Sequence, residues 1–156
     1  EDWGSGEGDI YWYNIEDGNS FIVCEVEGNQ INPAFLQNNI VWQDNRNGNW
    51  DIYKWKRERD GEITQGHEFQ VTFGTSNQEM PATDEVDILV ENRPISTVWQ
   101  DEINSSWDIM GYDKYLGKEI AICDAAGEQM NVTYMHPWIY WQDNRNGDWD
   151  IYMGIV

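Results

Sequence analysis

The residues with the most chemistry to offer stand in one string: Trp42-Gln43-Asp44-Asn45-Arg46-Asn47-Gly48-Asn49-Trp50-Asp51-Ile52-Tyr53. It returns as Trp141-Gln142-Asp143-Asn144-Arg145-Asn146-Gly147-Asp148-Trp149-Asp150-Ile151-Tyr152. Clustered carboxylate and amide oxygens are what a hard cation needs, so Asp44, Asp51, Asp143 and Asp150 are the calcium candidates. Their spacing departs from the Asp-x-Asn-x-Asn-Gly calcium loop, because the alternate positions after Asp44 are Arg46 and Gly48. Asn and Asp side chains that cap loop amides explain the same residues without a metal, and this reading is preferred. The expectation is that no cofactor is required and that calcium binds weakly, by neutralising a dispersed acidic surface.

Catalytic groupings are sparse. His67 and His136 are solitary, and neither adjoins a Ser or Cys in a nucleophile motif. Among 29 acidic residues, carboxylate pairs of glycosidase type are available, but a large acidic excess is far more often solvated surface. The expected protein is not an enzyme. Trp42, Trp50, Trp99, Trp107, Trp141 and Trp149 keep fixed places in a repeat, which points to core packing rather than sugar platforms. Trp3, Trp12 and Trp138 fall outside that pattern and are the candidates for a ligand or partner surface.

The string has the grammar of a β-hairpin. Aromatic and β-branched runs, Ile40 to Trp42 and Trp50 to Trp55, flank a loop of Asn, Asp and Gly. A looser copy runs from Trp99 to Met110, 42 residues before the last. Upstream lies a second anchor, Asn29-Gln30, Asn77-Gln78 and Glu128-Gln129. It stands 12 residues before the hairpin Trp in the first and last copies and 21 in the middle one. Insertions of about nine and about six residues are thus expected within 85–94 and 57–66.

These periods predict an all-β chain of antiparallel four-stranded units of about 42 residues, with strands a to d in each. Strand a follows the anchor and b and c form the hairpin. Strand d is expected at Phe69 to Phe73, Phe21 to Cys24 and Glu119 to Cys123. The chain is one domain: a partial unit (1–28), two whole units (29–76 and 77–127) and a partial unit (128–156). Hairpins are predicted at 40–55, 97–112 and 139–154.

Nine basic residues against 29 acidic ones leave a net charge of −20. Such a field repels phosphate backbones, so nucleic-acid binding is not expected. No apolar run reaches the ~20 residues of a membrane helix, so insertion is not expected either. Glu1 in place of Met, with no signal peptide ahead of it, suits a processed, exported polypeptide or a trimmed one. Asn104-Ser105-Ser106 and Asn131-Val132-Thr133 make Asn104 and Asn131 glycosylation candidates, in keeping with export.

Pro33-Ala34-Phe35, Ile40-Val41-Trp42-Gln43-Asp44 and the Asn-Gly-Asn-Trp-Asp-Ile-Tyr run ending at Tyr53 resemble the TolB-type β-propeller repeat. They are most similar to tandem copies in surface and surface-layer proteins of methanogenic archaea. The resemblance covers nearly the whole chain. It implies blades of four antiparallel strands and a surface, binding or assembly role, with no shared catalytic apparatus. Propellers close with four to eight blades, so a chain with about three is not expected to close on itself.

In a blade array, Cys24 and Cys123 occupy equivalent d-strand positions, each 15 residues after an Asp-Ile pair. Non-neighbouring units lie beyond the ~7 Å Cα limit for a bridge within one chain. Two readings stay open at equal weight: buried free thiols, or an intermolecular Cys24–Cys123 disulfide. The expected function is a non-enzymatic, extracellular structural protein of the cell surface, polymerising with copies of itself through sheet edges into a layer, sheath or filament. The alternative is a secreted carbohydrate-binding propeller module for cell-surface glycans, with a propeller-fold glycosidase last.

Overall fold

A computed structural model describes residues 8–58, 65–84 and 94–156. Among these the chain is all-β, without a helix. Thirteen strands form four antiparallel sheets that do not close into a barrel. The first pairs β1 (Ile10–Tyr13) with β2 (Ser20–Cys24). The second runs through β3 (Gln30–Leu36), β4 (Asn39–Asp44), β5 (Asp51–Arg57) and β6 (Gly66–Gln70). The third runs through β7 (Gln78–Thr83), β8 (Ile95–Ile103), β9 (Ser106–Asp113) and β10 (Lys118–Cys123). The fourth holds β11 (Gln129–Met135), β12 (Trp138–Asp143) and β13 (Asp150–Ile155). The β4–β5, β8–β9 and β12–β13 pairs are the three expected hairpins. The expected insertions, within 57–66 and 85–94, lie largely on residues 59–64 and 85–93, outside the described residues, as does Trp3.

The predicted d strand at 69–73 needs correction, because β6 spans Gly66–Gln70. Past Gln70 the amides of Val71 and Thr72 both converge on Ile52 O, at 2.8 and 3.4 Å. Thr72 Oγ1 in turn accepts from Ile52 N at 2.9 Å. A side chain has taken a ladder position, and the strand ends there.

Strand a carries an irregularity that pattern reading did not expose. In β3, β7 and β11 the register slips two residues after the buried anchor glutamine. Asn32, Met80 and Asn131 take φ of 51°, 52° and 54° at that point. Left-handed backbone is costly for L-residues, by roughly 1–2 kcal/mol, so something must hold it. Gln43 Oε1 accepts from Met80 N at 3.1 Å, and Gln100 Oε1 accepts from Asn131 N at 2.9 Å. The hairpin glutamine of one sheet thus satisfies the bulged amide of the next and fixes their spacing.

Sheet stacks on sheet through apolar faces. In the Asp-Ile pairs that open strand c, Ile10, Ile52 and Ile109 are 4%, 0% and 0% exposed. Each packs on the following unit: Ile10 against Ile40 and Trp42, Ile52 against Trp99, Ile109 against Val132 and Trp141. At roughly 1.5–3 kcal/mol per buried large apolar side chain, these three layers hold the stack together.

Replacing Gln100 (3% exposed) by Leu strands the Asn131 amide. The expected loss is about 1–3 kcal/mol. Gln142→Leu removes only an exposed bond to Asn131 Nδ2 and should cost under about 0.5 kcal/mol. Paired chemical-denaturation curves of the two variants check this.

Candidate functional site

The polar string folds into one cluster at the tip of its hairpin, and both good copies do the same. Trp42 Nε1 donates to Asp44 Oδ2 at 3.0 Å, as Trp141 Nε1 does to Asp143 Oδ2. The Arg46 guanidinium bonds both oxygens of Asp44 and lies 4.0 Å above the Tyr53 ring. Arg145 bonds both oxygens of Asp143 and lies 4.3 Å above Tyr152. Asp44 and Asp143 are wholly buried, so a fork-shaped bidentate partner suits them better than a point charge. Asn45 Oδ1 accepts from Asn29 N at 2.6 Å, and Asn144 Oδ1 from Glu128 N at 2.7 Å. Gly28 and Gly127 precede those amides with φ of 105° and 97°. A Cβ there would sit 2.8 and 2.5 Å from the same Asn oxygens, so only glycine fits.

Each Arg also reaches back one unit to a cysteine. Arg46 Nη2 lies 2.9 Å from Cys24 Sγ, and Arg145 Nη2 lies 2.8 Å from Cys123 Sγ. The middle copy is an internal control: Thr72 stands in the cysteine's place and Ile103 in the arginine's. Without the Arg, its Asp101 turns to Ser76 Oγ at 2.7 Å, and the Trp99 indole N–H is buried without a partner. The middle hairpin also closes differently, through Asn104 and Ser105 at φ of 53° and 64°. Arginine and cysteine therefore occur together as one inter-sheet contact. Both cysteines are free thiols. Cys24 is 3% exposed, and its thiol is pushed up to about 12, first by burial and then by Glu68. A thiol so placed is a poor nucleophile for exchange, and a bridge between chains would have to draw Cys24 out of the Arg46 contact.

Three of the four calcium candidates are engaged within the protein. Asp44 and Asp143 hold their arginines. Asp51 accepts from Asn47, Asn49 and Gln70 at 3.0–3.2 Å. Asp150 is exposed at the start of β13. No group of three or more His, Cys, Asp or Glu is placed to hold a metal among the described residues. The loop-capping reading has direct counterparts in the Asp44 and Asp143 bonds to the amides of Arg46 and Arg145, both at 3.0 Å.

Of the six repeating tryptophans, Trp42, Trp99 and Trp141 are core, but Trp50 and Trp107 are half-buried and Trp149 is 53% exposed. The expectation that all six pack in the core needs correction: the second of each pair lies at the hairpin's exit, at the rim of the stack. Trp12 packs on Phe21 and Phe35, with centroids 6.3 and 5.1 Å apart. Trp138 is half-buried opposite Ile155. Asn104 is exposed at its turn, and Asn131 is exposed at the strand bulge.

The most unusual surface lies on the fourth sheet. Ile151, the counterpart of Ile10, Ile52 and Ile109, is 72% exposed. Trp149, Met153 and Ile155 alternate with the residues between them on the same face and are 53%, 52% and 67% exposed. Among the described residues no strand pairs with the outer edge of β13, where β5 and β9 pair with β6 and β10. In the second sheet Glu68 of β6 accepts from Arg46 at 2.7 Å, and Gln70 takes the Tyr53 hydroxyl at 3.1 Å. The fourth sheet has no described strand in that place. Sequence reasoning did not expose this bare face.

No protein-family model matches the sequence, and no curated protein matches it. Solved structures do. TolB from Acinetobacter baumannii superposes at a TM-score of 0.66 with 13% identity, over 95% of this chain and 35% of that one. A protein proposed as the TolB of Agrobacterium tumefaciens gives 0.68 with 18% identity, over 96% of this chain and 52% of that one. The chain thus spans between about a third and a half of these proteins' lengths.

The tip cluster makes an acid-stability prediction. Asp143 is held down to about 2, first by the bonds from Arg145, while burial works the other way. A depressed carboxylate stabilises above its unfolded value, near ~3.9, and that contribution is lost as pH falls through about 2. Asp51, Glu79, Asp108 and Glu119 are shifted up, each mainly by burial, so the fold gains as these take up protons. Denaturant midpoints should hold or rise from pH 7 to about 5 and fall below about 4. Asp143→Asn should flatten the acid limb, as melts across that range would show.

Taken together, the sheets, their order and these superpositions give the chain a TolB-like β-propeller fold.

Proposed function

We infer that this chain is a non-enzymatic structural module of the cell exterior that joins copies of itself end to end. One observation carries the reading: Ile10, Ile52 and Ile109 are covered by a following sheet, while Ile151 is 72% exposed. Monomeric proteins seldom leave such a stripe uncovered, and the three buried cases support a further unit of the same repeat as its cover.

The occupant is the first sheet of a second copy. Tyr11, Tyr13 and Ile22 share the face of β1–β2 that no described sheet covers, at 52%, 61% and 52% exposed. Seating that face on Trp149, Ile151, Met153 and Ile155 repeats the stacking order found inside the chain. Such a contact is heterologous, so it yields chains or rings. The likeness to methanogen surface-protein repeats supports an envelope or surface-layer setting, and the acidic balance suits a salty exterior where charge repulsion is screened. A disulfide is not needed for the join. A glycan platform at Trp12 has less support, since that ring is packed against two phenylalanines.

At a net charge of −20, association should be weak at ~0.05 M salt and strong near ~1 M, where the Debye length falls to about 3 Å. Sedimentation velocity of the intact protein should show a series of oligomers at high salt. Ile151→Asp should remain monomeric in both, with an unchanged melting temperature. A wild type that stays monomeric at every salt and concentration tested would refute the assembly reading.

A further inference from the structure

The tip of the middle hairpin departs from the other two in three ways, and the departures converge on Asn104. The β8–β9 ladder runs out to the Ile103–Ser106 pair, so Asn104 and Ser105 alone make the turn. Both are exposed. Asn104 holds the place of Asn47 and Asn146 in the repeat, and those two are tied down. Asn47 Nδ2 donates to the Tyr53 hydroxyl at 2.9 Å, and Asn146 Nδ2 to the Tyr152 hydroxyl at 2.8 Å. Met110 stands in the tyrosine's place in the middle copy, and among the described residues the Asn104 side chain makes no hydrogen bond. Two positions further on, the other copies have Asn49 and Asp148, while the middle one has Ser106. An asparagine followed at the second position by a hydroxyl is an acceptor for N-linked sugar. The tip asparagine with a released amide is therefore also the one with that hydroxyl.

Asn131-Val132-Thr133 carries the same triplet in a place that resists modification. Its N–H is held by Gln100 Oε1 at 2.9 Å, and Asn131 Nδ2 donates to Gln142 Oε1 at 3.1 Å. Val132 and Tyr134 on either side of Thr133 are buried in the core between the third and fourth sheets. A transferase has to draw its acceptor backbone out of the fold, which is cheap where few buried contacts are lost. Opening the middle tip releases the exposed Ser106 Oγ bond to Gly127 O at 2.7 Å and the last ladder pair. Opening β11 unseats a whole junction.

We propose that Asn104 is an N-glycosylation site of this chain and that Asn131 is spared in the folded protein. Asn104 Nδ2 forms a bond to C1 of the first sugar, and the bond from that carbon to the diphosphate of a polyprenyl-linked oligosaccharide breaks. The diphosphate leaves with the electron pair, and the amide gives up one proton. The turn belongs to the third sheet, whereas the Ile151 stripe is a face of the fourth, so the glycan leaves the end-to-end contact free. Modification in the cell rests on the exterior setting proposed above, while acceptance of the sugar by the purified chain does not.

The folded, intact protein is incubated with an oligosaccharyltransferase and a polyprenyl diphosphate-linked oligosaccharide, and the product is mapped by peptide mass spectrometry. The enzyme used is one that modifies short peptides spanning 100–108 and 127–137. The folded chain should gain its glycan at Asn104, with Asn131 modified at least about ten-fold more slowly because its strand must open first. Asn104→Asp should abolish the gain while keeping a residue that tolerates left-handed backbone. Ser106→Thr should retain it and Ser106→Ala should lose it. Ile151→Asp should be modified like the wild type, so loss of assembly and loss of modification are separate results. No glycan on the folded chain, equal modification of Asn131, or a glycan persisting at position 104 in Ser106→Ala would overturn the proposal.

Discussion

A sheet with one apolar face must have it covered, and within the chain the next repeat unit covers it. The isoleucine after each strand-c aspartate is the clearest gauge. It lies under the following sheet at Ile10, Ile52 and Ile109 and stands bare at Ile151. The glutamine two residues before the hairpin loop keeps the spacing by bonding a strained amide in the neighbour. Apolar burial supplies the attraction, and the glutamine bonds set the register at the second–third and third–fourth junctions.

The hairpin tips serve the same junctions. Trp42, Asp44, Arg46 and Tyr53 form a cluster whose arginine also reaches Cys24 on the preceding sheet. Arg145 and Cys123 repeat this, while the middle copy exchanges both members, for Ile103 and Thr72. Such paired exchange within one chain is what a direct contact produces. Asp44 and Asp143, two of the residues that invite a cation, are thus committed to these clusters.

Much of this was legible in the residues. The return of Trp-Gln-Asp with Asp-Ile-Tyr fixed the period and the hairpins, and the anchor spacing fixed a strand inventory of two, four, four and three, as in the sheets. The bulge after the anchor was not legible. Asn32 and Asn131 tolerate left-handed backbone, but Met80 has no such preference, and a neighbouring sheet imposes it. The end of β6 was also missed, because Val71 to Phe73 reads as strand while the Thr72 hydroxyl interrupts the ladder. Nor does period tell which tryptophan of a hairpin is core: Trp141 and Trp149 look alike in sequence and differ by their place relative to the neighbouring sheet.

The central claim is that the Ile151 face is a junction awaiting its partner. Hydroxyl-radical footprinting of the intact protein, read by mass spectrometry at rising protein concentration in high salt, tests it residue by residue. The account predicts that Trp149, Ile151 and Met153 become protected as concentration rises, together with Tyr11 and Tyr13, while exposed Tyr115 continues to react. Steady labelling of Ile151 and Met153 at every concentration would contradict it.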